Sequence, residues 1–221
     1  MRIIEAPTES NGVRHYPVTD QKGRRYVPSV STITKSFVSQ VELDMIATLS
    51  AASGITREEH FHRGNTVEAA IDAFIDGRDS DAGEFEPWME LWRPWATKTL
   101  DFGAGFTRQE RVCSSLEGFE YAGAYDFLGW TKKGEQILID WKAPRSRRQR
   151  GSAQCQQYLM QAAAYASALE IETTAVVQVV YLLPGKKPHV MKMAQEDIMT
   201  SLEMFVDRLV WHYAGQSQVA A

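Results

Sequence analysis

The sequence predicts an α/β protein with a central mixed sheet flanked by helices, and its changing hydrophobic period carries that prediction. From residue 57 to about residue 100 apolar residues recur at helical spacing. Over residues 106–142 the period drops to two. A helix, a strongly apolar strand, a further strand and a final helix then follow, the layout of a sheet with helices on its faces.

Residues 14–27 read as a β-hairpin, because Tyr16, Val18, Tyr26 and Val27 flank the turn-like Asp20-Gln21-Lys22-Gly23. Pro28-Ser29 opens a helix to about Phe37 with Ser29 as N-cap, and a short helix follows near residues 41–52. Phe61, Val67, Ala70, Ile71, Phe74 and Ile75 mark a long amphipathic helix over residues 57–76, stopped by Gly77. Trp88, Trp92 and Trp95 share the next helix face, where they serve as core or as a nucleobase platform, and Pro94 is expected to kink or end that helix.

Residues 106–114, 118–131 and 136–142 read as an antiparallel meander turning at Glu117-Gly118 and Lys133-Gly134. Residues 154–169 form a helix rich in Ala, Gln and Leu, residues 175–183 a strand buried on both faces, residues 189–193 another strand, and Ile198, Leu202, Phe205, Val206 and Leu209 the stripe of the last helix. Residues 1–214 are expected to form one domain, its N-terminal hairpin and helical segment occupying residues 1–56, and residues 215–221 a flexible tail.

Among its 221 residues, 44% are hydrophobic and 24% charged, which excludes wholesale disorder. No run approaches the ~20 apolar residues of a membrane span, and Met1-Arg2-Ile3-Ile4-Glu5 lacks the layout of a signal peptide, so a cytoplasmic protein without a membrane partner is expected. Cys113 and Cys155 are too few for a four-cysteine zinc site or an iron–sulfur cluster. His60 and His62, two apart on a helix, face different ways and make a poor zinc pair.

The net charge of −4 argues against a coat that binds nucleic acid by bulk attraction. The charge is uneven, however. Residues 57–90 hold ten acids against three arginines, whereas Lys142, Arg145, Arg147, Arg148 and Arg150 cluster with no acid among them.

The chemistry concentrates in Gly123-Ala124-Tyr125-Asp126, Asp140-Trp141-Lys142 and Gln161-Ala162-Ala163-Ala164-Tyr165. Asp140 and Lys142 lie two apart on a strand and share a face. A three-residue or bulged loop at Lys133-Gly134 places Asp126 directly opposite Asp140, with Cβ atoms ~4.5–5.5 Å apart. Two carboxylates so close call for a cation or a shared proton. Hard oxygen ligands suit Mg2+, with Mn2+ as a substitute, and the neighbouring lysine can orient or deprotonate a water. This suits phosphodiester hydrolysis. A paired-carboxylate glycosidase would leave Lys142 and the arginines without a role.

Glu110 falls near Tyr125 and Asp126 across the Glu117-Gly118 turn, either joining the site or serving as a structural acid. Ser29, Ser31 and Thr32 can hold a phosphate or simply cap a helix.

These motifs, with Val27-Pro28-Ser29-Val30-Ser31-Thr32-Ile33 and Arg63-Gly64-Asn65-Thr66-Val67-Glu68, resemble those of the PD-(D/E)XK nuclease superfamily. The likeness is to the branch of RecB-like nuclease domains, phage-encoded exonucleases and the mitochondrial genome maintenance exonuclease, and it covers residues 26–183. It implies a restriction-endonuclease-like core and a Mg2+-dependent DNA exonuclease in phage-type recombination, replication or repair. A structure-specific endonuclease and a non-catalytic nucleic-acid-binding module are the alternatives. It further implies that Asp126, Asp140 and the Trp141 carbonyl bind the metal, that Lys142 is the catalytic lysine, and that Gln161 and Tyr165 position the DNA or the lysine. Where many relatives carry a metal-binding histidine this chain has Glu68, a competent hard-ion ligand, with Asp72 one turn on as the weaker alternative. Arg145, Arg147, Arg148 and Arg150 are expected to grip single- or double-stranded DNA, and a single-strand annealing or binding protein is a possible partner.

Overall fold

The computed structural model describes residues 2–10, 13–35, 56–146 and 151–219. The expected helix near residues 41–52 and the basic residues Arg147, Arg148 and Arg150 lie outside these. The chain is a mixed α/β protein. Strands β1 (Ile3–Ile4), β2 (Thr8–Ser10) and β4 (Gly23–Pro28) all pair antiparallel with β3 (Val13–Asp20). The β3–β4 hairpin closes where the sequence predicts, with Asp20 opposite Gly23 and Gly23 at φ 90°, a conformation open to glycine.

Helix α1 (Val30–Lys35) follows, capped by Ser29. Helix α2 (Arg57–Ile75) begins with a reciprocal capping box between Thr56 and Glu59 and stops at Gly77, φ 68°. The next helical stretch divides into α3 (Glu86–Met89) and α4 (Trp92–Thr99). The break precedes Pro94, which sits in the first turn of α4 where its missing N–H costs little. Trp88 and Trp92 are buried, so the tryptophan stripe is core and not a nucleobase platform.

The predicted three-strand meander does not stay in one sheet. Strands β5 (Arg111–Leu116) and β6 (Phe119–Ala124) form a separate pair, while β7 (Phe127–Trp130) and β8 (Gln136–Lys142) join β9 (Val176–Leu183) and β10 (Lys186–Lys192) in the order β10-β9-β8-β7. The split falls at Tyr125-Asp126, where the Asp126 carboxylate accepts the Trp141 N–H at 2.7 Å. Residues 106–110 are irregular, with Gly105 at φ 89° and Gln109 at φ 51°, leaving only a Thr107–Leu128 bridge. Strands β8 and β9 run parallel, connected through helix α5 (Ala153–Ala168), and the other pairs of this sheet are antiparallel, so it is mixed as expected. The last helix, α6 (Gln195–Val219), continues past Gly215, where the sequence predicts a tail.

Strand β8 alternates between two cores. Leu138, with Val177, Val179 and Tyr181, packs under α5 and α6. Ile137, Ile139 and Trp141, with Val180 and Leu182, pack against Val67 and Ile71 of α2 and Trp92 of α4. Tyr16, Val18 and Val27 meet Ala122, which docks the N-terminal sheet on β6. No helix among the described residues is long and apolar enough to cross a membrane.

Candidate active site

Asp126 and Asp140 come together by register. Thr131 N donates to Glu135 O at 2.9 Å, leaving Lys132-Lys133-Gly134 as a three-residue loop, and Phe127 pairs with Ile139. Continued one residue past β7, this register sets Asp126 opposite Asp140, and the Asp126 carboxylate accepts the N–H of the residue after Asp140. Asp140 is buried, and its Oδ2 lies 2.5 Å from Lys142 Nζ as an ion pair.

The electrostatics follow from this crowding. Burial, then the charge of Asp140, pushes the Asp126 carboxyl up to about 8, against the pull of Lys142; Glu68 adds to the rise and the Trp141 N–H opposes it. Burial likewise raises Asp140, against Lys142. For Lys142, burial opposes the charge, but Asp140 and Asp126 outweigh it and hold the ammonium above its usual range. At an effective dielectric of ~20, two ionised carboxylates ~5 Å apart would repel by about 3 kcal/mol, a cost relieved by a shared proton, as the rise of Asp126 indicates, or by a nearby cation. Lys142 supplies one.

Glu68 reaches the same field from α2. Burial raises its carboxyl, Lys142 lowers it, and the charges of Asp72 and Asp140 raise it further. Gln109 Nε2 donates to Glu68 Oε1, and Gln109 does so from a left-handed backbone that a non-glycine residue adopts at a cost. Asp72, the weaker ligand candidate, is instead committed to Arg108 at 3.1 Å, and Arg108 also pairs with Asp76 at 2.6 Å. These pairs strap the 105–110 segment to α2.

Tyr165 is buried beside the acids, and burial, then Asp140 and Asp126, raises its hydroxyl well above the usual range. Its ring crosses Gly123 so closely that a Cβ there would lie 2.6 Å from Cε1. The glycine of the Gly-x-x-Asp stretch is thus what lets the tyrosine of the Gln-x-x-x-Tyr stretch approach. Gln161 points elsewhere: its Nε2 donates to Thr34 Oγ1 of α1 at 3.4 Å, tying α5 to α1.

Other expected residues are placed plainly. Glu110 is exposed; it accepts the Tyr125 hydroxyl at 2.8 Å and its carbonyl accepts the Tyr125 N–H at 3.3 Å, the register predicted for it. Ser29 is 2% exposed and its hydroxyl is engaged with Ser31, Thr32 and the Thr32 N–H, which accounts for it as a cap. Arg145 is exposed just beyond β8. His60 hydrogen-bonds Arg63 and His62 lies 3.9 Å from Glu84, so the two histidines diverge.

Two contributors were not assigned a role from sequence. Arg63, 2% exposed, donates to the Ala143 carbonyl at 2.8 Å and stacks over Trp88 at 5.5 Å, while Trp88 Nε1 donates to the Pro144 carbonyl at 3.0 Å. Together they clamp the chain where it leaves Lys142. Tyr158 places its ring 5.1 Å from Lys142 Nζ, and its hydroxyl accepts from Gln154 at 2.7 Å. Its signal was readable, since Gln154-x-x-x-Tyr158 repeats the Gln161-x-x-x-Tyr165 spacing two helical turns earlier on the same face.

Among the described residues no three His, Cys, Asp or Glu side chains gather closely enough to form a ready metal cage. Mg2+ keeps several waters and is commonly held by one or two carboxylates plus substrate phosphate. Asp126 and Asp140, both raised by burial and Asp126 also by the charge of Asp140, are two hard oxygen donors of the kind such a site uses.

Neither a family model nor a curated protein sequence matches the chain. Among solved structures, the crystal structure of SSO0001 aligns with a TM-score of 0.41 and 14% identity over 81% of this chain and 74% of that one. A structure from Eubacterium rectale named "Putative exonuclease" aligns with a TM-score of 0.37 and 13% identity over 82% of this chain and 66% of that one. Scores of this size leave the functional argument to the chain's own residues.

Proposed function

We propose that this protein is a divalent-metal-dependent DNA nuclease, acting as an exonuclease. The observation that carries the reading is the meeting of Asp126, Asp140 and Lys142 on one face at the end of β8, with Tyr165 against them and Arg145 just beyond. A glycosidase pair would need no such lysine.

Asp126, Asp140 and the Trp141 carbonyl would hold the Mg2+ or Mn2+, with Glu68 as a further ligand. When bound, the ion supplies charge for the scissile phosphate and acidifies a water. Lys142, kept protonated by its two aspartates, acts as a donor and cation: it aligns the attacking water and steadies negative charge on the phosphate. The water oxygen forms the new P–O bond as it gives up a proton to solvent, the P–O bond to the ester oxygen breaks, and that oxygen leaves with the electron pair and takes up a proton from solvent. Tyr165 packs over the acids and limits water there.

The exonuclease preference, a phage-type recombination, replication or repair setting and an annealing- or binding-protein partner rest on the motif resemblance. The test is incubation with end-labelled single- and double-stranded DNA, linear, end-blocked and circular, in Mg2+, Mn2+ or chelator. Mononucleotide release from free ends by wild type, abolished by chelator and by Lys142→Ala, is expected. Cutting of circular DNA would identify an endonuclease instead. Binding without cleavage in either metal would identify a non-catalytic module.

A further inference from the structure

The arginines outside the 142–150 cluster divide sharply by what they touch. Arg2, Arg24, Arg25, Arg78, Arg93 and Arg108 each pair with a carboxylate within 4 Å. Arg63 and Arg208 are directed to main-chain carbonyls. Arg14 and Arg111 are exposed; Arg111 Nη1 donates to the Ile4 carbonyl at 3.1 Å, and among the described residues no carboxylate pairs with either. In a chain with net charge −4 and four more acids than basic residues, these two exposed guanidiniums are not neutralised by an acid among the described residues.

Their position is specific. Arg111 pairs in register with Ala124, two residues before Asp126. The Arg14 carbonyl accepts the Ser29 N–H at 2.9 Å, and Ser29 bridges Ala122. The two arginines therefore flank the 122–124 stretch of β6 over which the Tyr165 ring lies. Arg14 sits 5.6 Å from the centre of the Tyr16 ring; both arginines act electrostatically on Tyr16, and Arg14 also acts on Tyr165. From Arg111 an open groove runs past Arg2, Ile4, Glu110 and Gln109, and Gln109 holds Glu68. The acid in this groove, Glu110, already accepts from Tyr125.

We propose that Arg14 and Arg111 form a second phosphate-gripping edge of the site, holding the nucleic-acid backbone that flanks the scissile phosphate, in addition to the Arg145 side. This rests on the nuclease reading. The ligand chemistry is a chain of phosphodiesters: guanidiniums on β3 and β5, on either side of β6, with Arg111 lining the groove, suit contacts to a phosphate backbone, and contacts of that kind position a strand without reading its sequence. They also explain how an acidic protein holds a polyanion with local charge.

Binding of end-labelled single- and double-stranded oligonucleotides, measured in Mg2+ across a salt series in the Lys142→Ala background so that the probe survives, tests this. Each lost phosphate contact flattens the plot of log K against log salt by ~0.7 on single strands and ~0.9 on duplex. Arg14→Ala/Arg111→Ala is expected to flatten it by about 1.4 and 1.8, and the same pair in the active protein to raise KM for DNA more than it lowers kcat. Arg14→Lys/Arg111→Lys keeps the slope, which separates charge from folding. Arg24→Ala and Arg78→Ala, whose guanidiniums face surface acids, leave it unchanged. A wild-type slope and KM in the double alanine variant of a protein that cleaves DNA overturns the proposal and leaves the nuclease reading intact. A wild type that cleaves neither DNA nor bis(p-nitrophenyl) phosphate in Mg2+ or Mn2+ overturns the nuclease reading, and the salt slope still decides the arginines. A protein that does not bind DNA at all overturns both.

Discussion

Replacing Gly123 by alanine adds one methyl group at the tightest contact beside the site. The new Cβ would lie 2.6, 3.0 and 3.2 Å from Cε1, Oη and Cζ of Tyr165, where ordinary contact begins near 3.4 Å, so the ring must retreat by ~1 Å. It has little room to do so. Tyr165 is 8% exposed, and Ala162, Ala163, Ala164 and Ala166 around it on α5 are fully buried. At an open strand position Gly→Ala would gain ~0.4–1 kcal/mol through the unfolded chain; here overpacking costs about 1–3 kcal/mol. At ~2–4 °C per kcal/mol for a chain of this size, the net loss lowers Tm by several degrees. The measurement is thermal and urea unfolding of Gly123→Ala, Tyr165→Leu and the double variant. With the ring removed, the alanine should cost nothing. A Gly123→Ala protein that melts at or above wild type, or one whose loss is the same without the Tyr165 ring, refutes the reasoning.

Other consequences are as direct. Tyr158→Leu removes the ring beside Lys142 and, at ~0.5–2 kcal/mol for such a contact, should lower kcat about 2- to 30-fold with little change in KM, whereas Tyr158→Phe keeps the ring and the rate; equal losses in both would assign the effect to the hydroxyl. Arg63→Met leaves the Ala143 carbonyl without its donor and should cost about 2–4 kcal/mol, read as a lower urea midpoint; a neutral substitution would mean the clamp is unimportant. At φ 51°, Gln109→Gly should be about 1 kcal/mol more stable than Gln109→Ala, and equal midpoints would remove the case for strain there. Hydrogen bonds from Arg25 lower Asp20 and Glu120, and hydrogen bonds from Arg108 and Arg93 lower Asp76 and Glu86. Carboxyls held low in the folded state contribute stability above the unfolded value of ~4 and lose it as pH falls through their folded values. The urea midpoint should therefore drop below about pH 4, less steeply in Arg25→Gln; parallel curves for the two proteins would contradict the Arg25 pairs.

The elements that sequence predicts well are those whose determinants are neighbours in the chain. Helix α2 carries its own stop signal in Gly77, and its apolar spacing marks the face that meets β8. Loop length sets hairpin register, so the two-residue turn at Glu117-Gly118 and the three-residue turn at Lys132-Lys133-Gly134 place Glu110 opposite Tyr125 and Asp126 opposite Asp140 without knowledge of the rest of the fold. The separation of β5–β6 from the main sheet was not predicted, because it depends on an aspartate side chain taking a backbone N–H on another strand.

For the site the division is similar. The alternation of β8 and its hairpin partner is enough to put Asp126, Asp140 and Lys142 on one face, since period-two geometry and turn length are local properties. Which surroundings those groups meet was decided only by packing: the burial of Arg63 under the exit of β8, the commitment of Asp72 to Arg108, the capture of Glu68 by Gln109, and the approach of Arg14 and Arg111 from separate strands. Each joins residues dozens of positions apart or turns on a neighbour that is absent, and neither follows from spacing along the chain. Local periodicity determined which of these side chains share a face, and tertiary contact decided which charges are satisfied within the fold.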